Sequence, residues 1–402
     1  MIIKRLRYIK SDIFSYVSIG LMMLAAFASL WSDGANMVGL YVALPIAFVL
    51  STLQNKGFHF NIYEKILYSL FLWDVIAYLW ADNKELASRE QHVLLGAFLL
   101  CYIASIQARD TKHMPYLYIV WCLLYLSAWN YAVHHILVFM TNATDRLNDE
   151  KLNANTLAYY TFYFSYIAFM LSEICKKSML RKIWTVIFWA MLPASFGVAI
   201  LTASRQVLIV QLPLYAMLVY IRFIKNVSTK RKLAFCFVVL IALVAASGAI
   251  SNAYDNSFLK QRSEKSLADD SRATLIRNAL TIGTANLPLG VGSNNFMTLS
   301  DTGEFAHNSY LEAYADMGII GFALYTSLMI VYTFRQWKRY RATHDKMYFV
   351  FFTFGAIYIL DSFFFVFYNA VWLISFFMLV AAHSESYYKS QQQNIEDYAQ
   401  NP

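Results

Sequence analysis

His307 is the side chain whose position in this chain best suits acid–base chemistry. It lies in residues 305–308, where a polar segment passes directly into a long apolar stretch. We expect a helix to begin there, because Asn308 is a natural helix N-cap. The positive end of that helix would disfavour a protonated imidazole, so a neutral His307 could accept a proton as a general base. A purely structural cap is the alternative interpretation.

Arg205 is the second candidate, and it lies in a short connection, Leu201–Gln206, between two apolar stretches. An arginine held between two helix ends can clamp an anion through two parallel hydrogen bonds. The alternative is an arginine that only marks the membrane interface by extending its charged end towards water.

Two further arginines lie in the long polar segment after the ninth apolar stretch. A helix N-cap is predicted at Asp269–Ser271, followed by an amphipathic helix on the membrane surface that ends near Gly283. Arg272 and Arg277 are five positions apart and do not share a helix face. We therefore expect Arg272 to contact the same ligand as Arg205, while Arg277 pairs with lipid phosphates or nearby acidic residues.

Acidic side chains follow within the next apolar stretch. Glu312 and Asp316 are one helical turn apart, and ionisable residues inside a membrane span usually face the bundle interior and have a partner. They could orient one of the two arginines. Gly318 and Gly321 indicate close helix packing rather than a phosphate loop, and no nucleotide or metal motif is present.

The elements that must position these residues are membrane helices. The chain has 402 residues, of which 59% are hydrophobic and 14% charged, whereas soluble domains have about 25% charged residues. A helix needs about 20 apolar residues to cross a bilayer, which gives about twelve candidate spans. These are Phe14–Trp31, Met37–Leu53, Ile66–Trp80, Gln91–Gln107, Tyr116–Met140, Thr156–Cys175, Ile183–Leu201, Val207–Ile224, Leu233–Ile250, Asn308–Phe334, Met347–Phe367 and Ala370–Ala382.

The distribution of positive charge predicts the orientation of the spans. Most of the 33 Lys and Arg residues fall on the cytoplasmic side if the N-terminus is cytoplasmic. The net charge of +8 is therefore attributed to topology rather than to nucleic-acid binding. Both termini are predicted to be cytoplasmic, with helices 1–9 in residues 1–250, one long outer loop in 251–307, and helices 10–12 with a tail in 308–402. The four cysteines lie in apolar segments and predict neither a disulfide framework nor a thiolate metal site.

Several of these segments resemble the O-antigen ligase and O-antigen polymerase superfamily. The runs Ala306–Glu312 and Asp316–Gly321 resemble its signature, and so does Leu201–Arg205 where it opens a span. Ser271-Arg272, leading to Leu287–Gly292, resembles the family's long periplasmic loop. The resemblance covers most of the chain, and its motifs separate ligases poorly from polymerases.

The resemblance implies an all-helical glycosyltransferase with a GT-C-like fold in the bacterial inner membrane. It would transfer a glycan from undecaprenyl pyrophosphate on the periplasmic side, with inversion and without a metal, a nucleotide sugar or another cofactor. His307 would deprotonate the acceptor hydroxyl, and Arg205 and Arg272 would stabilise the leaving pyrophosphate. The implied substrate-binding residues are Arg205, Arg272, Arg277, Asn308 and Glu312. The motif shows no acidic partner for His307.

Three functions remain open at this point. A ligase would pass the glycan to the lipid A-core oligosaccharide, and a polymerase would pass it to another lipid-linked repeat. We favour the ligase, because the chain has one long outer loop and one short arginine-bearing connection, whereas polymerases often divide their basic residues between two sizeable outer loops. A lipid-glycan flippase or another transporter is less favoured, since the spans contain few basic residues and no internal repeat is visible.

Overall fold

The computed structural model describes residues 2–29, 33–55, 60–141, 154–225, 227–255, 260 and 271–400. Every regular element within these residues is a helix. The α-helices are α1 (Ile2–Ala28), α2 (Asp33–Val38), α3 (Leu44–Asn55), α4 (Ile62–Ala77), α5 (Lys84–Gln107), α6 (Met114–Thr141), α7 (Ala154–Ile174), α8 (Ser178–Leu201), α9 (Arg205–Val219), α10 (Thr229–Asp255), α11 (Ser271–Ala285), α12 (Phe296–Leu299), α13 (Ser309–Thr343), α14 (Lys346–Asp361) and α15 (Val371–Gln400). Short π-helical turns join α2 to α3 and extend α9, and a 3-10 turn extends α4 to Trp80.

Several of these helices are long and apolar enough to cross a membrane. Among the described residues they are Gly34–Asn55, Ser178–Leu201, Val207–Ile224 and Ser309–Thr343. Lys84–Gln107 and Thr111–Asn130, which are bent by 116°, form a fifth if the pair is one span. The prediction of an all-helical membrane protein is confirmed at this level. The number of about twelve spans, the outer loop and the segments 1–250, 251–307 and 308–402 stay predictions.

The chain forms two compact units. The first contains Met1–Leu124, Ser271–Arg341 and Tyr358–Pro402, and within it α5 lies along α15 while α1 lies along α3. The second contains Tyr125–Asp270 and Ala342–Ile357, and within it α7 lies along α8. Each unit has its own buried apolar core. This is expected, because each helix must bury its apolar face against another element.

Asparagine side chains begin the two helices that lead towards the candidate site in the first unit. Asn61 Oδ1 accepts hydrogen bonds from the N–H groups of Tyr63 and Glu64, and the Glu64 carboxylate accepts one from the Asn61 N–H at 2.5 Å, which completes a capping box for α4. Asn83 Oδ1 accepts a hydrogen bond from Leu86 N at 3.1 Å at the start of α5. These caps fix the first residues of α4 and α5.

Helix α13 is broken at Gly318, where the backbone has φ 66° and ψ −158°. A Cβ at this position would lie 2.0 Å from the Pro288 carbonyl oxygen, so only glycine fits. The groups freed by the break have partners, because Ile319 N donates to Pro288 O at 3.1 Å and Trp73 Nε1 donates to Met317 O at 2.8 Å. The sequence predicted a span over Asn308–Phe334, and Ser309–Thr343 is long and apolar enough to cross a membrane despite the break. The prediction that Gly318 marks close helix packing was wrong, since this glycine admits a loop rather than a neighbouring helix.

Candidate functional site

The site is built on the first part of α13, residues Ser309–Met317, which we call the half-helix. Asn308 caps it, with its Oδ1 accepting hydrogen bonds from Tyr310 N at 3.0 Å and Leu311 N at 3.1 Å. The predicted N-cap is therefore confirmed. Asn308 is 6% exposed, so the side chain that caps the helix is buried.

His307 precedes this cap and adopts φ 50°, a left-handed conformation in which its side chain remains 30% exposed. Its Nε2 lies 4.0 Å from Glu304 Oε2. That distance is too long for a hydrogen bond, but an opposite charge there would stabilise a protonated imidazole. Glu304 is thus an acidic neighbour of His307, which the sequence motif did not reveal. The sequence did contain a signal for this contact, namely an acidic residue three positions before His307 in a polar loop.

The turn at His307 is held by a buried carboxylate. Glu312 is 1% exposed, and its Oε2 accepts a hydrogen bond from Ala306 N at 2.5 Å. The backbone on one side of His307 is therefore tied to the half-helix, while Asn308 fixes the other side. This geometry places a partly exposed imidazole at the positive end of a helix.

Asp316 makes the equivalent connection one turn later. Its Oδ1 accepts hydrogen bonds from Asn295 N at 2.9 Å and Phe296 N at 2.6 Å. Both predicted carboxylates are buried, and the hydrogen bonds described for them are with backbone N–H groups. Their predicted role in orienting an arginine stays a prediction, whereas their role in fixing loops is visible.

The return segment, residues 286–300, lies against the break in α13. Gly290 and Gly292 have φ 76° and 99°, and a Cβ on Gly290 would lie 2.5 Å from Asp316 O. Val291 N donates to Ala315 O, and Gly292 N donates to Asp316 O, each at 2.9 Å. The turn-rich return predicted from these glycines is confirmed, and the glycines allow the close approach of the two backbones.

Helix α11 is the predicted amphipathic helix, and it ends two residues after the expected Gly283. Its residues Leu275 and Ala279 are buried in one cluster with Phe296, Ala306 and Ala315. The apolar face thus packs on the return segment and on the residue before His307. Ile276 and Leu280 remain 40% and 47% exposed, which leaves a second apolar strip for the predicted membrane contact. The predicted cap residues Asp269 and Asp270 lie outside the described residues.

The two arginines of α11 are in different surroundings. Arg272 is in the first turn and is partly buried, whereas Arg277 is exposed. Since the buried face of α11 contacts Ala306, the structure brings this helix to the loop that holds His307. The expectation that the two arginines do not share a face agrees with this difference in exposure.

Arg205 belongs to the second unit, where it is the first residue of α9. The connection from α8 is only Thr202–Ser204, with Ala203 at φ 50°. Ser204 Oγ donates to Asn155 Oδ1 at 2.9 Å, and Thr202 Oγ1 donates to Ser204 Oγ at 3.1 Å. The short connection predicted from the sequence is confirmed. Arg205 therefore begins a helix whose free N–H groups would also favour an anion.

Residues 186–326 match a family model described as O-antigen ligase. This part of the chain is similar to the O-antigen ligase family. This finding confirms the resemblance recognised in the sequence. The O-antigen ligase region begins in α8 and ends in α13, so it contains Arg205, Arg272, Arg277, His307, Asn308 and Glu312. A comparison with curated proteins gives no match.

The O-antigen ligase match indicates an enzyme of the O-antigen ligase or polymerase type, which acts on lipid-linked glycans in a membrane. Among the described residues, no group of three or more His, Cys, Asp or Glu side chains is arranged to hold a metal ion.

Glu312 gives a test of whether this carboxylate acts through the loop or through its charge. We expect Glu312→Ala to lower both transfer activity and thermal stability, because the buried Ala306 N–H loses its acceptor at a cost of about 1–3 kcal/mol. Glu312→Gln retains an oxygen that can accept this bond, so it should restore most activity with an unchanged KM for the donor. The measurement is steady-state kinetics and thermal unfolding of both variants in detergent. A glutamine variant as inactive as the alanine variant would show that the charge itself is needed.

Proposed function

We propose that this enzyme is an O-antigen ligase that transfers a glycan from undecaprenyl pyrophosphate to the lipid A-core oligosaccharide. The observation that carries the proposal is the partly exposed His307, fixed between a capped half-helix and a buried carboxylate within the matched region. A base in such a position is suited to activating a hydroxyl group.

In the proposed reaction, His307 takes the proton of the acceptor hydroxyl as its oxygen attacks the anomeric carbon of the donor sugar. The new glycosidic bond forms while the bond between that carbon and the pyrophosphate oxygen breaks, and its electron pair leaves with the lipid pyrophosphate. Attack in line with the leaving group inverts the anomeric configuration. Glu304 would stabilise the imidazolium formed in this step.

The leaving pyrophosphate needs positive charge, and Arg205 and Arg272 are proposed to supply it. The position of Arg205 at the start of α9 and of Arg272 in the first turn of α11 supports this role. Arg277, which is exposed, is proposed to contact outer parts of the lipid-linked substrate. Asn308 and Glu312 are proposed to serve substrate binding through the loop they fix.

The membrane arrangement is part of the same proposal. About twelve spans would hold the site at the periplasmic face of the bacterial inner membrane, with both termini in the cytoplasm. Neither a metal nor another cofactor is proposed for the reaction. The exposed apolar side chains of the spanning helices support a bilayer as their surroundings.

A polymerase is the second candidate, because it would use the same site with a different acceptor. The experiment offers purified protein the lipid-linked donor with either lipid A-core or a second lipid-linked repeat. Product on lipid A-core alone is expected. Longer lipid-linked chains would instead establish the polymerase, and no product with either acceptor would favour a flippase or transporter.

A further inference from the structure

A cavity of about 610 Å³ lies between α4 and α5 in the first unit, outside the groups assigned to catalysis. Its size is in the usual range of about 300–1,000 Å³ for small-molecule sites. Its walls are mostly apolar and aromatic, with Tyr68 and Val75 on α4 and Leu95 and Phe98 on α5. It is open rather than enclosed, so a chain-like molecule can enter it along the helices.

The face of α5 that lines the cavity changes in character along the helix. Ser88, Gln91, Leu95 and Phe98 line the cavity, and Lys84 lies on the same face, because these residues are spaced by three or four positions. In chain order, the first of these five is cationic, the next two are polar and the last two are apolar. An anionic headgroup followed by an apolar tail has the complementary order.

Lys84 lies beside this cavity, because it contacts Tyr78, one of the lining residues. Its Nζ lies 4.9 Å from the ring centre of Tyr78. The ammonium donates to Tyr78 O at 2.7 Å and Leu79 O at 3.0 Å. Since an ammonium has three donors, one remains for an anionic group beside the cavity.

Hydrogen bonds within the first unit connect the polar end of the cavity to the return segment and, through it, to the half-helix. Gln91 Nε2 donates to Ser293 Oγ at 3.0 Å, and Asn83 N donates to Asn295 Oδ1 at 2.7 Å. Asn295 N in turn donates to Asp316 of the half-helix. The polar end of the cavity is therefore in contact with the return segment that supports the half-helix.

We propose that this cavity binds the polyprenyl tail of the lipid-linked donor, with Lys84 beside the polar end at which the tail leaves the cavity towards its anionic headgroup. The inference rests on the proposed function, which supplies a donor with an anionic head and a single long apolar chain. One cavity between two helices fits a single chain better than the several acyl chains of lipid A. The order from cation to apolar side chains sets the direction in which the tail enters.

The test places a bulky tryptophan side chain in the cavity, either from α4 or from α5. Val75→Trp and Leu95→Trp are suitable because both side chains are about half exposed and project into it. Ile330→Trp, at a similarly exposed position on α13 away from the cavity, is the matched control. Transfer is measured with two donors that carry the same glycan pyrophosphate on a full-length or a very short prenyl tail. We expect the KM for the long-tailed donor to rise about tenfold in both cavity variants, with kcat and the short-tailed donor unaffected.

Equal losses with both donors, no change with the long-tailed donor, or a change in the KM for the acceptor alone would each overturn the assignment. A second experiment uses a photoreactive polyprenyl pyrophosphate that carries no glycan. Because this probe reports binding of the tail and not transfer, it tests the cavity separately from the proposed function. Wild-type protein should be labelled on α4 or α5, and the cavity variants should not. Labelling without any transfer would refute the proposed function and retain the cavity assignment. Labelling that excess bilayer phospholipid abolishes would show an ordinary lipid site instead.

Discussion

Replacing His307 by Ala is expected to reduce glycan transfer by a factor of about 10²–10⁴, the usual contribution of a positioned general base. The imidazole is 30% exposed at the start of the half-helix and is the one group of the loop proposed to take the acceptor proton. Membrane insertion and the unfolding temperature should remain close to those of the wild type. The measurement is the single-turnover rate with saturating donor and acceptor.

A second variant separates the lost base from a disturbed backbone. His307 has φ 50°, and asparagine tolerates that left-handed conformation better than most residues. His307→Asn should therefore keep the loop and still lose transfer. His92→Ala, which removes an exposed histidine from α5, serves as the control and should keep full activity. If His307→Asn remained fully active, another group would have to be the base.

Charge reversal at Arg205 is expected to abolish transfer, because a carboxylate at the start of α9 would repel the donor pyrophosphate. Arg205→Lys should lose about 10- to 100-fold, since a point charge cannot reproduce the two parallel hydrogen bonds of a guanidinium. The loss should be larger in kcat than in donor binding if the charge of the leaving group is stabilised mainly in the transition state. Steady-state kinetics with varied donor concentration measure both parameters.

Arg181, an exposed arginine near the other end of α8, provides the matched control for Arg205. Arg181→Glu should leave transfer unchanged, because this residue belongs to no proposed binding group. Normal turnover of Arg205→Glu would rule out the proposed anion clamp. It would leave the assignment of His307 intact, because the two residues serve different steps of the proposal.

Local sequence features were enough to predict the parts of the site that depend on neighbouring residues. Asn308 was recognised as a cap because its side chain needs only the next helical turn as a partner. Helix α11 was recognised from the spacing of apolar residues such as Leu275 and Ala279. The turns at Gly290 and Gly292 followed from the conformational freedom of glycine.

The features that the sequence did not reveal depend on contacts between distant segments. The break at Gly318 requires Pro288 to approach from 30 positions earlier, and nothing in the local apolar pattern indicates that approach. The bonds of Asp316 to Asn295 and Phe296 have the same origin. Glu304 was missed for another reason. It lies close to His307 in an irregular loop, where no helical repeat predicts which side chains are neighbours.

The most direct measurement follows both products of one reaction. Purified protein in detergent receives a donor labelled in its glycan and in its lipid, together with lipid A-core, and both labels are followed in the wild type and in His307→Asn. The account predicts that the wild type releases one lipid pyrophosphate for each glycan joined, and that the variant does neither. Glycan transfer at the wild-type rate by His307→Asn, or lipid pyrophosphate release by the wild type without any glycan joined, would contradict it.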